Sequence, residues 1–183
     1  MESRQIRGSS KISGDLKVDS PALFAQLKSF LPVCDLQRVA SAYRTAHEQG
    51  GTVEAPTRRE PEASFNPKPA RLCHILVSEA GVRDPLLLSG AILRCVQSNS
   101  QNQNFQRLAN IDQENLLIEL AWSLDRIRHL HMTDLDTEQR CMVLEQARSL
   151  LESIPEQDAS PRLTQLLSKA IQRCERTFDG LAA

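Results

Sequence analysis

Glycine is scarce in this chain, at 7 of 183 residues. No glycine-rich loop of the kind that cradles a dinucleotide or a triphosphate can be read from it. Aromatic residues make up only 4%, which is poor for the stacking platforms on which single-stranded nucleic acids lie. Neither charge sign dominates. The 22 Lys and Arg stand against 23 Asp and Glu, a formal net charge of −1. That balance argues against a protein that coats nucleic acid through bulk charge, though not against a local basic pocket. No apolar run approaches the roughly 20 residues that span a bilayer. The N-terminal stretch MESRQIRGSSKISGDLKVDS is polar and lacks the apolar centre of a secretory signal. The five cysteines, Cys34, Cys73, Cys95, Cys141 and Cys174, are odd in number, widely spaced and without a CxxC pair. That pattern argues against a disulfide framework or a zinc knuckle. The expectation is a cytoplasmic protein with neither a membrane nor a nucleic acid as partner.

What is present is a helical pattern. Hydrophobic residues at 40% and charged residues at 25% are the proportions of a globular chain, and the length suits one core. Ser20-Pro21 starts a first helix with Leu23, Phe24, Leu27, Phe30 and Leu31 on one side. Asp35 opens a second helix, with Leu36, Val39, Ala40, Tyr43 and Ala46 inward, that ends at Gly50-Gly51. Pro69 or one of its neighbours begins a third, stopped by Ala80-Gly81, and Asp84-Pro85 begins a fourth. Asp112 begins a long fifth helix with a stripe of Leu116, Leu117, Leu120, Leu124 and Ile127. Asp134 or Asp136 caps the next, Thr137 to Ser153, and Ser160-Pro161 starts the last. Cys34, Cys73, Cys95 and Cys174 fall within apolar helical patterns, and the expected role is that of a small buried hydrophobe. Residues 1–18 read as a disordered tail. Residues 52–67 read as an irregular insertion or loop, and 97–104 as a polar turn. No alternating strand pattern is present. The fold class expected is all-α, a bundle of six or seven helices over residues 19–183.

Two segments carry more than generic helix. In KPARLCHILVSEAGVRDPLLLSGAILRCVQSNS, residues 68–100, stand Ile75-Leu76, Glu79-Ala80-Gly81, Asp84, Leu88, Ala91 and Leu93. In LLIELAWSLDRIRHL, residues 116–130, stand Leu120-Ala121, Leu124, Arg128 and Leu130. AYRTAHEQGG, residues 42–51, places His47 near a helix end. Together these resemble the HD-type small alarmone hydrolases, stand-alone relatives of the RelA/SpoT hydrolase domain, over roughly residues 35–177. The resemblance implies an HD-domain-like bundle whose relatives hold one divalent metal with two His and two Asp and use the metal-bound water as nucleophile.

The chain departs from that family at its polar positions. Lys68 stands at a His position, Arg94-Cys95 at the His-Asp pair and Trp122 at the distal Asp. Ser98-Asn99 stand at the Glu-Asp pair that would position the water, and Arg126 at an Asn expected to touch nucleotide. Only 26 residues separate Cys95 from Trp122, fewer than the resemblance implies, so a pocket wall is expected to be missing too. Protonated Lys and Arg do not ligate a cation, and an indole only donates. No catalytic residue, no metal and no cofactor are therefore expected.

The reading that follows is a catalytically inactive HD-like pseudo-hydrolase acting as a binding or regulatory protein, with a protein partner or a second copy of itself (a homodimer) as the partners considered. The alternative is a non-hydrolytic nucleotide-binding protein. There Lys68, Arg94, Cys95, Ser98, Asn99, Trp122, Arg126, Arg58 and Arg59 form a vestigial basic pocket for the phosphates of a guanosine nucleotide. An active alarmone phosphohydrolase is the last alternative. Against phosphate binding, Arg94 has a plainer role open to it, reaching solvent or pairing with Asp125 or Glu119. Trp122 reads as packing that fills volume left by a hydrated metal.

Overall fold

The computed structural model describes residues 21–49, 69–97, 113–154 and 160–179. Among them are seven α-helices, one turn of 3₁₀ helix and no strand, so the protein is an all-α bundle. The helices are α1 (Pro21–Lys28), α2 (Val33–Gln49), α3 (Pro69–Ser78), α4 (Pro85–Gln97), α5 (Gln113–His129), α6 (Thr137–Ser153) and α7 (Pro161–Asp179). The tail 1–18, the segment 52–67 and the polar run 98–104 lie outside the described residues, as do Asp112 and the Gly50-Gly51 stop.

Local chemistry sets the helix ends. Asp84 precedes α4 and accepts the Leu86 N–H on Oδ1 at 2.7 Å, satisfying a donor that the first turn leaves unpaired. Of the two carboxylates offered for α6, Asp136 is the cap. Its side chain accepts from Gln139 N–H at 2.8 Å while Gln139 Oε1 accepts from Asp136 N–H at 3.1 Å, a reciprocal capping box. Gly81 takes φ +72° where the chain turns out of α3, a conformation that costs glycine little and other residues much. The second helix begins at Val33, two residues before Asp35. The Pro32 carbonyl accepts from both Asp35 and Leu36 N–H, so Asp35 falls inside the first turn rather than before it.

The central element is α5. From Leu116 to Ile127 all but Leu117 and Arg126 are buried, and a helix covered on most of its circumference must be packed on several sides. A single inward stripe was the expectation for this helix. The wider burial arises because α3 packs on it from one direction and α6 and α7 from others. The α2–α4 pair forms the second half of the bundle, joined to α5 through α3, and α1 lies on α2 and α3. One hydrophobic cluster runs through all seven helices. Leu27, Leu72, Leu88, Leu120, Leu124, Leu150 and Leu163 are fully enclosed, each side chain contributing about 2 kcal/mol by leaving water.

Arg83 ties two connections together. Its guanidinium lies 4.2 Å from the Phe30 ring centroid, and its Nη1 donates to the Val77 and Val82 carbonyls at 3.2 and 3.3 Å. One carbonyl left open at the end of α3 and one in its connection to α4 are thereby satisfied. Cys73 and Cys95 are buried and Cys174 is half-buried, but Cys34 is exposed. The apolar face of α2 begins only at Leu36 and Val39, so the first turn, with Val33 and Cys34, stays in water. No described helix is long and apolar enough to cross a membrane.

Candidate functional site

Two carboxylates are buried on α5, and arginines from two other helices hold them. Glu119 is paired with Arg94 of α4. Asp125 takes a two-pronged bond from Arg71 of α3, with Nε donating to Oδ1 at 2.9 Å and Nη2 to Oδ2 at 2.9 Å. A carboxylate withdrawn from water is tolerated only when paired and hydrogen-bonded. These pairs therefore fix α5 against α4 and α3 respectively. His129 stands one turn beyond Asp125. Its Nδ1 lies 2.8 Å from the Asp125 carbonyl oxygen and 3.2 Å from Oδ1, so Nδ1 carries the proton that the carbonyl accepts. Arg128 reaches back to α3's end, where Nη1 and Nη2 donate to the two oxygens of Glu79 at 2.6 and 3.0 Å.

Between α1, α3 and α5 opens a cleft of about 380 Å³. Arg71, His74, Asp125, Arg128 and His129 form its polar side. Ala22, Leu23, Ala70 and Ile75 form its apolar side.

Four of the sequence-derived pocket residues are described, and they do not form one basic surface. Arg94 and Cys95 close α4, and the Arg94 guanidinium is engaged by Glu119. Trp122 sits on α5 one turn after Glu119 and is buried. Arg126 turns toward α6, where Nη1 is 3.5 Å from Gln146 Oε1 beside a cavity of about 10 Å³. Burial lowers the proton affinity of both guanidinium groups, Arg94 with a smaller opposing pull from Cys95. Lys68, Ser98, Asn99, Arg58 and Arg59 lie outside the described residues. Among the described residues no three His, Cys, Asp or Glu side chains are grouped to hold a metal ion.

Cys95 faces inward, with Sγ donating to the Ala91 carbonyl at 3.5 Å. Its thiol is pushed up to about 12, by burial first and by the charge of Asp125 second. Its backbone hydrogen bond, Arg94 and Arg71 pull the other way. Burial and Cys95 raise the Cys73 thiol as well. At neutral pH both are thiols, and a thiol is neither a strong nucleophile nor a metal ligand. In iodoacetamide labelling of native protein at pH 8, Cys34 and Cys141, both exposed, are expected to be modified at least about a hundredfold faster than Cys73 and Cys95. Peptide mass spectrometry reads this directly, and labelling of Cys95 at the rate of Cys34 would contradict its burial.

Neither Arg71 nor His129 is among the candidate residues of the sequence analysis. A signal for Arg71 was there. Asp125 shares a helix face with Ile118, Ala121 and Trp122, and a carboxylate on such a face needs a cation from elsewhere. The sequence does not say which cation, because Arg71 is 54 residues away.

No family model, no curated protein and no solved structure matches this chain.

Proposed function

We propose that this protein is a non-hydrolytic binding or regulatory protein on an HD-type helical scaffold. The observation that carries the reading is the chemistry at the positions where the family resemblance implies metal ligands. Arg94 is tied to the buried Glu119, Cys95 is a buried thiol and Trp122 is packed among the core residues. A guanidinium, a protonated thiol and an indole do not supply the lone pairs that a divalent ion needs to polarise water. Nucleotide phosphate at this locus is the weaker variant of the reading, since it would compete with Glu119 for Arg94.

The test uses the homogeneous full chain. Incubation with guanosine tetraphosphate and Mn²⁺ is expected to release no pyrophosphate above the protein-free control, and dialysed protein is expected to retain well under one equivalent of Mn, Zn or Fe. Turnover of guanosine tetraphosphate by the homogeneous protein would overturn the reading. So would a tightly held full equivalent of metal.

A further inference from the structure

The cleft between α1, α3 and α5 is built from groups that stand in an unusual order. The acceptors lie beneath and the donors above. The Asp125 side chain is 2% exposed and that of Glu79 18%, whereas the side chains of Arg71, Arg128 and His129 are 35%, 36% and 30% exposed. A solute entering therefore meets guanidinium and imidazole ahead of the buried Asp125 and the half-buried Glu79.

Each guanidinium is also held so that one flat edge is left over. Arg71 meets Asp125 through Nε and Nη2. Its Nη1/Nη2 edge makes no hydrogen bond among the described residues. Arg128 meets Glu79 through Nη1 and Nη2, and its Nε edge is likewise unengaged among the described residues. A guanidinium has five N–H groups, so one carboxylate leaves capacity for a second planar acceptor. Clamping by a first carboxylate removes the side-chain freedom that binding the second would otherwise have to freeze. His129 adds a third group. Its Nδ1 is committed to the Asp125 carbonyl, which leaves Nε2 as the ring nitrogen open to a ligand. Asp125 itself cannot serve as a cation ligand here, since Arg71 occupies both its oxygens.

The opposite wall is apolar, through Ala22, Leu23, Ala70 and Ile75. A volume of about 380 Å³ lies at the small end of ligand pockets. From this arrangement we infer that the α1–α3–α5 cleft is a binding site for a small organic oxyanion, a carboxylate or phosphate carried on a compact aromatic or aliphatic body. The oxyanion lies against Arg71 and Arg128 and the body against Leu23 and Ile75. The cleft stands on its own geometry, whichever scaffold the bundle descends from.

Calorimetric titration of the full chain with phenyl phosphate, benzoate and benzyl alcohol tests the assignment. At least one of the two anions is expected to bind with Kd on the order of 1 mM or tighter. The neutral alcohol is expected to bind at least about tenfold more weakly, the loss of one charge-assisted hydrogen bond. Whichever anion binds more tightly identifies the oxyanion. Ala22→Phe places a ring at an exposed residue of the cleft and is expected to abolish binding while leaving the circular dichroism melt unchanged. Arg71→Lys keeps a cation opposite Asp125 but removes the flat edge, and is expected to weaken the anion at least about tenfold. Absence of binding up to about 10 mM, equal affinity for benzyl alcohol, or full affinity in Ala22→Phe would each overturn the inference.

Discussion

Replacing Arg71 by Met is expected to destabilise the fold by about 3–5 kcal/mol at neutral pH, the usual effect of stranding one member of a buried ion pair. For a chain of this size that is a fall in Tm of roughly 10 °C. The magnitude follows from the asymmetry of the pair. Asp125 is 2% exposed while Arg71 is 35% exposed. Removing the arginine leaves a carboxylate that cannot return to water, with His129 as its remaining ion-pair neighbour among the described residues. Removing the carboxylate instead leaves a guanidinium with access to solvent. Asp125→Asn is therefore expected to cost less, about 1–2 kcal/mol.

The double variant Arg71→Met/Asp125→Leu, which replaces the charged pair by apolar groups, should recover most of the loss. Urea unfolding of Arg71→Met, Asp125→Asn and the double variant measures all three. A deficit below about 1 kcal/mol for Arg71→Met would mean that Asp125 is not held as described.

The second large effect is at Trp122, where the family resemblance implies a metal-binding Asp. Trp122→Asp is expected to cost at least about 4 kcal/mol. Truncating a buried indole leaves a cavity worth about 3–5 kcal/mol by itself, and the new carboxylate would be desolvated without a designated partner. Typical stabilities are about 5–15 kcal/mol, so much of the variant protein should be unfolded at 37 °C. Trp122→Phe, which keeps an aromatic ring, should cost only about 1–2 kcal/mol. The contrast separates two pictures of this locus. A water-filled pocket would accept Asp readily, and Trp122→Asp folding within about 1 kcal/mol of the parent would overturn the packed one. Added Mn²⁺ is expected to restore no stability, since Arg94 and Cys95 offer the new carboxylate no fellow ligand.

Both variants probe α5, where sequence pattern and tertiary structure diverge most. Leu116, Leu120, Leu124 and Ile127 are legible as an inward stripe because helical periodicity is a local property. Burial of Glu119, Ser123 and Asp125 on the same helix is not, because it requires neighbours on further sides. The capping of α6 was legible to within two residues, since Asp134 and Asp136 both suit a cap and only the backbone path selects Asp136. The pairing of Arg94 with Glu119 stood among the sequence-level alternatives. Asp125, the other candidate partner, is taken by Arg71, whose proximity no spacing rule supplies.

From its residues alone this chain could be read as all-α, with the helix starts at Pro21, Pro69, Pro85, Thr137 and Pro161 and most of the leucine core in place. Those properties depend on neighbours within a turn or two, where backbone geometry is the same in every helix. Which arginine meets which buried carboxylate, and where a cleft is left open, was decided by the packing of α1, α3, α4 and α5. Charge pairs 25 and 54 residues apart form only once the helices they sit on have been brought together, and the order of residues along the chain does not encode that distance.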